Sequence, residues 1–189
     1  MCGIIGYVGL ESVVDILIEG LQRLEYRGYD SAGIAVLEDG KIVIKREVGK
    51  LQNLVKELNR ISLEGTVGIG HTRWATHGRP TEDNAHPHTD CQKKLVIVHN
   101  GIIENYMHLK QRLKEQGHEF SSGTDTEVVV HLIESYYQGN LKEAVQKALN
   151  ELEGAYAICA LHADEPDCIV AAKNNSPLLL GIGNNCNFV

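Results

Sequence analysis

Missing from this sequence is any apolar run long enough to span a bilayer, and the N-terminus has no basic stretch followed by an apolar signal core. Neither a membrane-bound nor a targeted chain is expected. The five cysteines, at positions 2, 91, 159, 168 and 186, form no CxxC pair and no close spacing. That disfavours a disulfide framework and suits a reducing, cytoplasmic setting. Positive charge is in deficit: 18 Lys and Arg against 25 Asp and Glu give a formal net charge of −7. A sequence-independent nucleic-acid surface is therefore not expected. Gly68-x-Gly70 lacks the remaining glycine of a dinucleotide loop, and no GxxxxGK[ST] is present, so nucleotide phosphate has no cradle. His86, His88 and Cys91 lack the second pair of ligands of a structural zinc site, and no HExxH supplies a catalytic one. No metal and no cofactor are expected. Internal repeats and low-complexity linkers are absent as well.

What is there fits one domain of 189 residues with a sizeable core. Residues 3–8 read as a buried strand, and 12–26 as a helix capped by Ser12 with Leu17, Leu21 and Leu24 as its apolar stripe. Strand-like runs at 31–37 and 41–48 flank Asp39-Gly40, a strong hairpin signal. A short amphipathic helix at 50–61 and a strand at 66–71 precede a long polar loop over 74–94. A strand at 95–99 runs into Asn100-Gly101, and a helix over 105–116 stops at Gly117. Thr124 with Glu127 makes a capping box opening a helix through Tyr137, and 141–152 reads as another helix. Strands return at 155–161, 168–172 and 178–182. Strands, then helices, then strands predict α+β layers rather than βαβ alternation. The abrupt apolar end at Asn187, Phe188 and Val189 leads us to expect the front part of a longer chain.

Cys2 lies directly behind Met1. Removing one residue would join a thiol to a free α-amine, whose ordinary pKa of about 7.7–8.0 lets it take the thiol's proton. The competing reading is a small buried residue opening a strand. Arg73 in the run HTRWATHG can bind a carboxylate through two parallel hydrogen bonds, Thr76 can add another, and Trp74 can close over the ligand. Equally, Trp74 is a core residue and Arg73 a solvated strand end. Asn100-Gly101 has the form of an I′ turn; alternatively the Asn amide and the Gly N–H aim at one oxygen as an oxyanion hole. Asp125 can receive a substrate ammonium or simply offset the helix dipole.

The runs CGIIGYVG at 2–9, LEYRGYDSAGIA at 24–35, HTRWATHG at 71–78, NAHPH at 84–88, VHNGIIENY at 98–106 and TDTEV at 124–128 resemble, in order, the motifs of the glutaminase domains of the glucosamine-6-phosphate synthase family. The first is shared with all N-terminal-nucleophile amidotransferases, whereas EYRGYDSAG and HTRWATHG look specific to the hexosamine branch. This resemblance implies a four-layer αββα fold with two stacked antiparallel sheets, and a type-2 glutamine amidotransferase domain over 1–189 that is C-terminally truncated and lacks the sugar-isomerase domains. It implies that Cys2 becomes the N-terminus and attacks the side-chain amide of L-glutamine with its α-amine as base. It further implies Asn100 and Gly101 as oxyanion hole, Arg27 and Gly28 as the pair orienting the nucleophile, Arg73 on the α-carboxylate and Asp125 on the α-ammonium. Trp74, Thr76 and His77 would fold over the substrate. The ammonia would be used by the absent domain to convert fructose 6-phosphate into glucosamine 6-phosphate, in a full-length enzyme expected to be homo-oligomeric. Two alternatives stand beside this: an amidotransferase of the same class feeding another acceptor, and a catalytically silent glutamine-binding module that retains Met1.

Overall fold

The computed structural model describes residues 2–74 and 81–189. β1 (Gly3–Val8) leads through α1 (Val13–Leu24) and a 3-10 turn at Glu25–Arg27 to the hairpin of β2 (Ser31–Glu38) and β3 (Lys41–Val48). Its turn carries Asp39 at φ 49° and Gly40 at φ 72°, the two left-handed positions that a I′ hairpin needs. α2 (Leu51–Leu58) and β4 (Val67–Arg73) follow, then β5 (His88–Thr89) and β6 (Leu95–Ile103). Three helices, α3 (Tyr106–Glu115), α4 (Asp125–Tyr136) and α5 (Leu141–Leu149), precede β7 (Gly154–His162) and β8 (Ile169–Asn174). The chain closes with β9 (Gly181–Ile182) and β10 (Asn187–Phe188).

The strands form a six-stranded sheet, β3-β2-β4-β1-β10-β9, and a four-stranded sheet, β5-β6-β7-β8, and every pairing between these strands is antiparallel. The period-2 alternation of side chains fixes how the layers stack. On β2, Ile34 and Val36 pack with Val13, Leu17 and Leu21 of α1 and with Leu51 and Leu54 of α2, while Ala35 and Leu37 face the other way. There they meet Val96 and Val98 of β6 and Cys159 and Leu161 of β7, in a core shared by the two sheets. Leu95 and Ile97, one residue out of phase, pack instead with α3, α4 and α5. Both sheets are thus buried on two faces, and the result is the expected αββα sandwich. Each fully buried Leu or Ile contributes about 1.5–3 kcal/mol. Helix α4 is buried on all sides from Thr126 to Ile133, so it is the fixed member of its layer.

Several local expectations change. Asn100-Gly101 is not a turn: β6 continues through both residues to Ile103, because β7 from Gly154 onward pairs with it residue by residue. Ser12 makes no side-chain cap on α1, whereas Thr124 does accept from the Glu127 N–H, at 3.3 Å. The polar loop after Trp74 includes the short strand β5. The helix expected to reach residue 152 stops at Leu149. Of the strand expected over 178–182 only Gly181–Ile182 forms; Leu179 and Leu180 are 84% and 70% exposed and have no sheet partner among the described residues.

Candidate active site

The layer stacking brings sequence-distant residues to one end of the sandwich. On β4, Ile69 faces the core between the sheets, so His71 and Arg73, two and four residues on, share its face. On β6, Val96 and Val98 face the same core, which sets Asn100 on that face too. The two strands meet there: His71 Nε2 donates to Asn100 Oδ1 at 2.9 Å, leaving the amide nitrogen of Asn100 to donate to the carbonyl oxygen of Cys2 at 3.2 Å. Cys2 immediately precedes β1, whose Gly3 pairs with Thr72 of β4.

The Cys2 thiol is half-buried in this corner. The backbone N–H of Trp74 donates to its Sγ at 3.2 Å, and Sγ lies 3.7 Å from the Trp74 carbonyl. Burial pushes the thiol's pKa up, only partly offset by the Trp74 N–H and the charge of Arg73. At neutral pH the thiol therefore stays protonated unless a base removes the proton. Gly28 is what lets the chain come this close: a Cβ there would lie 2.7 Å from the carbonyl carbon of Arg73 and 2.8 Å from the Trp74 nitrogen. Gly28 thus abuts the Arg73–Trp74 peptide, whose N–H meets the Cys2 thiol. Arg27 lines the same cleft as Cys2, Trp74, Asn100 and Gly101, but its Nε donates to the hydroxyl of Tyr26. That cleft has a volume of about 320 Å³.

Deeper in, Cys2, Arg73, Trp74, Gly101 and Asp125 line a common recess. Arg73 is buried at the end of β4, and burial pulls its guanidinium below its ordinary pKa while Cys2, once it is a thiolate, and the carboxylates of Asp30 and Asp125 pull it back. Arg73 is therefore not the solvated strand end that the sequence left open. Asp125 occupies the first turn of α4, where its Oδ2 accepts from the N–H of Ile103 at 2.8 Å. Trp74 is not a core residue but 42% exposed at the rim, edge-on to Tyr29 with ring centroids 5.5 Å apart. Gly101 sits at φ 125°, a backbone state that favours glycine. Thr76 and His77 lie outside the described residues.

A layer of buried histidines behind the site escaped sequence reasoning. Thr126 Oγ1 bridges His99 Nδ1 at 2.8 Å and His86 Nε2 at 3.1 Å, and the His71 and His86 rings lie 4.1 Å apart. Thr124 Oγ1 meets His88 Nε2 at 3.1 Å. Burial holds all four imidazoles below their ordinary pKa, His71 at about 3, so they are neutral and orient their neighbours. Through His71 the layer fixes Asn100, and through Thr126 it ties β6 to the start of α4. The only sequence trace was an unexplained density of His and Thr in HTRWATHG, NAHPH and TDTEV.

An αββα sandwich with a cysteine at the head of its first strand, faced by an asparagine amide, a buried guanidinium and a carboxylate, describes the N-terminal-nucleophile amidotransferases. Residues 71–186 match the family described as "Glutamine amidotransferase domain". The chain belongs to that family. The glutamine--fructose-6-phosphate aminotransferase [isomerizing] of Pyrococcus horikoshii is 55% identical over 191 residues, covering 100% of this chain and 32% of the relative. The like-named protein of Aquifex aeolicus is 51% identical, with 100% and 32% covered. This chain thus spans about a third of the length of these relatives. Among solved structures, the glutamine phosphoribosylpyrophosphate amidotransferase of B. subtilis, complexed with ADP and GMP, matches with a TM-score of 0.84 at 28% identity, covering 100% of this chain and 41% of that one.

Proposed function

We propose that this chain is the glutaminase unit of a glutamine--fructose-6-phosphate aminotransferase, releasing ammonia from the side-chain amide of L-glutamine. The observation that carries the reading is the convergence of Cys2, Arg73, Gly101 and Asp125, from four separate segments, on one recess. In this reading Met1 is removed and the freed α-amine of Cys2 takes the thiol proton, directly or through a water. A thiol whose ordinary pKa of about 8.5 keeps it mostly protonated at neutral pH needs such a base. The thiolate sulfur attacks the amide carbon, and the Asn100 amide and the Gly101 N–H receive the resulting oxyanion. The C–N bond then breaks, the α-ammonium returns its proton to the leaving nitrogen as ammonia departs, and a γ-glutamyl thioester remains. Water, deprotonated by the same amine, hydrolyses the thioester to glutamate and restores the thiol.

Arg73 takes the glutamine α-carboxylate and Asp125 the α-ammonium, so the zwitterion is gripped at both charges while its amide reaches Cys2. Trp74, at the rim of the recess, covers it and helps to exclude water. Arg27 and Gly28 shape the wall beside the nucleophile. The ammonia acceptor would be fructose 6-phosphate, handled by a sugar-isomerase portion that these residues do not include. The greater identity to the aminotransferases, 55% against 28% for the phosphoribosylpyrophosphate enzyme, favours that acceptor. Among the described residues no helix is long and apolar enough to cross a membrane. The test is ammonia release from glutamine by the wild-type chain and by Cys2→Ala. Loss of release in a folded Cys2→Ala variant is expected; turnover undiminished by that change would mean that another group is the nucleophile.

A further inference from the structure

The sequence set His86, His88 and Cys91 aside as metal ligands, and the fold separates them. His86 and His88 turn into the buried histidine layer, whereas Cys91, in the turn after β5, approaches three other residues. Its Sγ lies 3.9 Å from Nδ1 of His118 and 3.7 Å from Nδ1 of His131. Oε2 of Glu134 lies 2.8 Å from His118 Nδ1 and 2.9 Å from His131 Nδ1. One ligand atom from each of the four residues falls within 4.8 Å of all the others. Spacings of 27 and 40 residues from Cys91 hid this group from any motif.

Each member is held by local structure. His131 and Glu134 are three residues apart on the rigid helix α4, so they project from one face. α3 ends with Gly117 at φ 95°, and the Gly117 and His118 N–H groups bond back to the carbonyls of Lys114 and Leu113, which fixes where His118 emerges. Phe120 packs edge-on to His131, with centroids 4.6 Å apart, and closes the inner wall. His131 is buried, His118 and Glu134 are largely covered, and Cys91 is exposed, which leaves one open approach.

We infer that Cys91, His118, His131 and Glu134 form a structural Zn²⁺ site that joins the β5–β6 turn, the α3–α4 connection and helix α4. Metal–ligand bonds of about 2.3 Å to sulfur and 2.0–2.1 Å to nitrogen or oxygen, in a tetrahedron, require sulfur–nitrogen separations of about 3.6 Å and nitrogen–oxygen separations of about 3.3 Å. The sulfur–nitrogen spacings of 3.9 and 3.7 Å lie slightly above those values and the nitrogen–oxygen spacings of 2.8 and 2.9 Å below them, so side-chain adjustments of a few tenths of an ångström complete the geometry. A thiolate with two imidazoles selects zinc over magnesium or calcium, which prefer oxygen. Four protein ligands leave no open position, the mark of a structural rather than catalytic ion. Binding takes the thiolate and two neutral imidazoles, with release of the Cys91 proton. The site is independent of the glutaminase reading. Its consequence is to brace α4, whose first residue, Asp125, lines the recess.

The full chain, stripped with a chelator and desalted, is titrated with Zn²⁺ against a chromophoric competitor and separately with Co²⁺. One Zn²⁺ per chain, a thiolate-to-cobalt charge-transfer absorption and a rise in Tm with Zn²⁺ are expected. Cys91→Ser changes an exposed side chain and should fold; it should abolish the charge-transfer absorption and weaken Zn²⁺ binding at least about tenfold, as loss of even a supporting contact does. Cys168→Ser should bind like wild type. Absence of stoichiometric Zn²⁺ in the wild type, or binding and absorption unchanged in Cys91→Ser, would overturn the assignment.

Discussion

Adding a single methyl group at Gly101 tests the strand geometry and the chemistry together. A Cβ on Gly101 would lie 2.0 Å from the Ala155 carbonyl oxygen and 2.8 Å from Tyr156 Cα, both backbone atoms of β7. Neither can rotate away, so relief requires β6 to separate from β7 just where Gly101 pairs with Tyr156. The φ of 125° adds strain of about 1–3 kcal/mol for a residue with a Cβ. If that shift withdraws the Gly101 N–H from the oxyanion, transition-state stabilisation falls by about 2.7–4 kcal/mol, or about 10²–10³ in kcat. Gly117→Ala is the matched control, because its φ is 95° but nothing lies within 4 Å of its added Cβ. It should lose about 1–2 kcal/mol of stability and keep its kcat. Ammonia release at saturating glutamine gives kcat, and urea unfolding gives stability. A folded Gly101→Ala variant with wild-type kcat would refute the reasoning, since the clash and the donor would then both be misjudged.

Two other expectations follow from the site's charges. Arg73→Ala removes the cation proposed to face the glutamine carboxylate; a charge-assisted hydrogen bond is worth about 1.5–3 kcal/mol, so KM should rise at least about tenfold, and an unchanged saturation curve would exclude that contact. The buried histidines set the pH dependence of folding. His71 is held at about 3, and His86, His88 and His99 are also lowered, all first by burial, while their unfolded values lie near 6.5. Between those limits the unfolded chain binds more protons than the folded one, so stability is full above about pH 6.5 and falls as the pH drops, by up to about 1.4 kcal/mol per unit for each histidine. A urea midpoint that holds constant or rises from pH 6.5 to pH 5 would contradict this.

Local chemistry was legible in the sequence and long-range convergence was not. Asp39-Gly40 announced its hairpin and Thr124 its helix, because each acts on its immediate neighbours. Asn100-Gly101 was ambiguous for the opposite reason. Whether the chain turns or continues there depends on β7, more than fifty residues further on, and the Gly at φ 125° serves close approach to Ala155 rather than a turn. The alternation in β2 and β6 shows apolar residues on both faces, but it cannot say which face meets helices and which the other sheet. The same limit hid the contact of His71 with Asn100 and the gathering of Cys91 with His118, His131 and Glu134. Identifying Cys2, Arg73 and Asp125 as one site required family motifs, and the fold supplies the physical reason: the sheets stack so that the ends of β4 and β6 meet the start of β1 and of α4.

In the proposed mechanism Cys2, freed of Met1, forms the covalent intermediate. Mass spectrometry of the chain, alone and acid-quenched during turnover with glutamine, reads both parts at once. The prediction is a chain lacking Met1 that gains one γ-glutamyl group, mapped to the peptide beginning at Cys2. Retained Met1 with undiminished ammonia release, or an adduct on any other residue, would contradict the account.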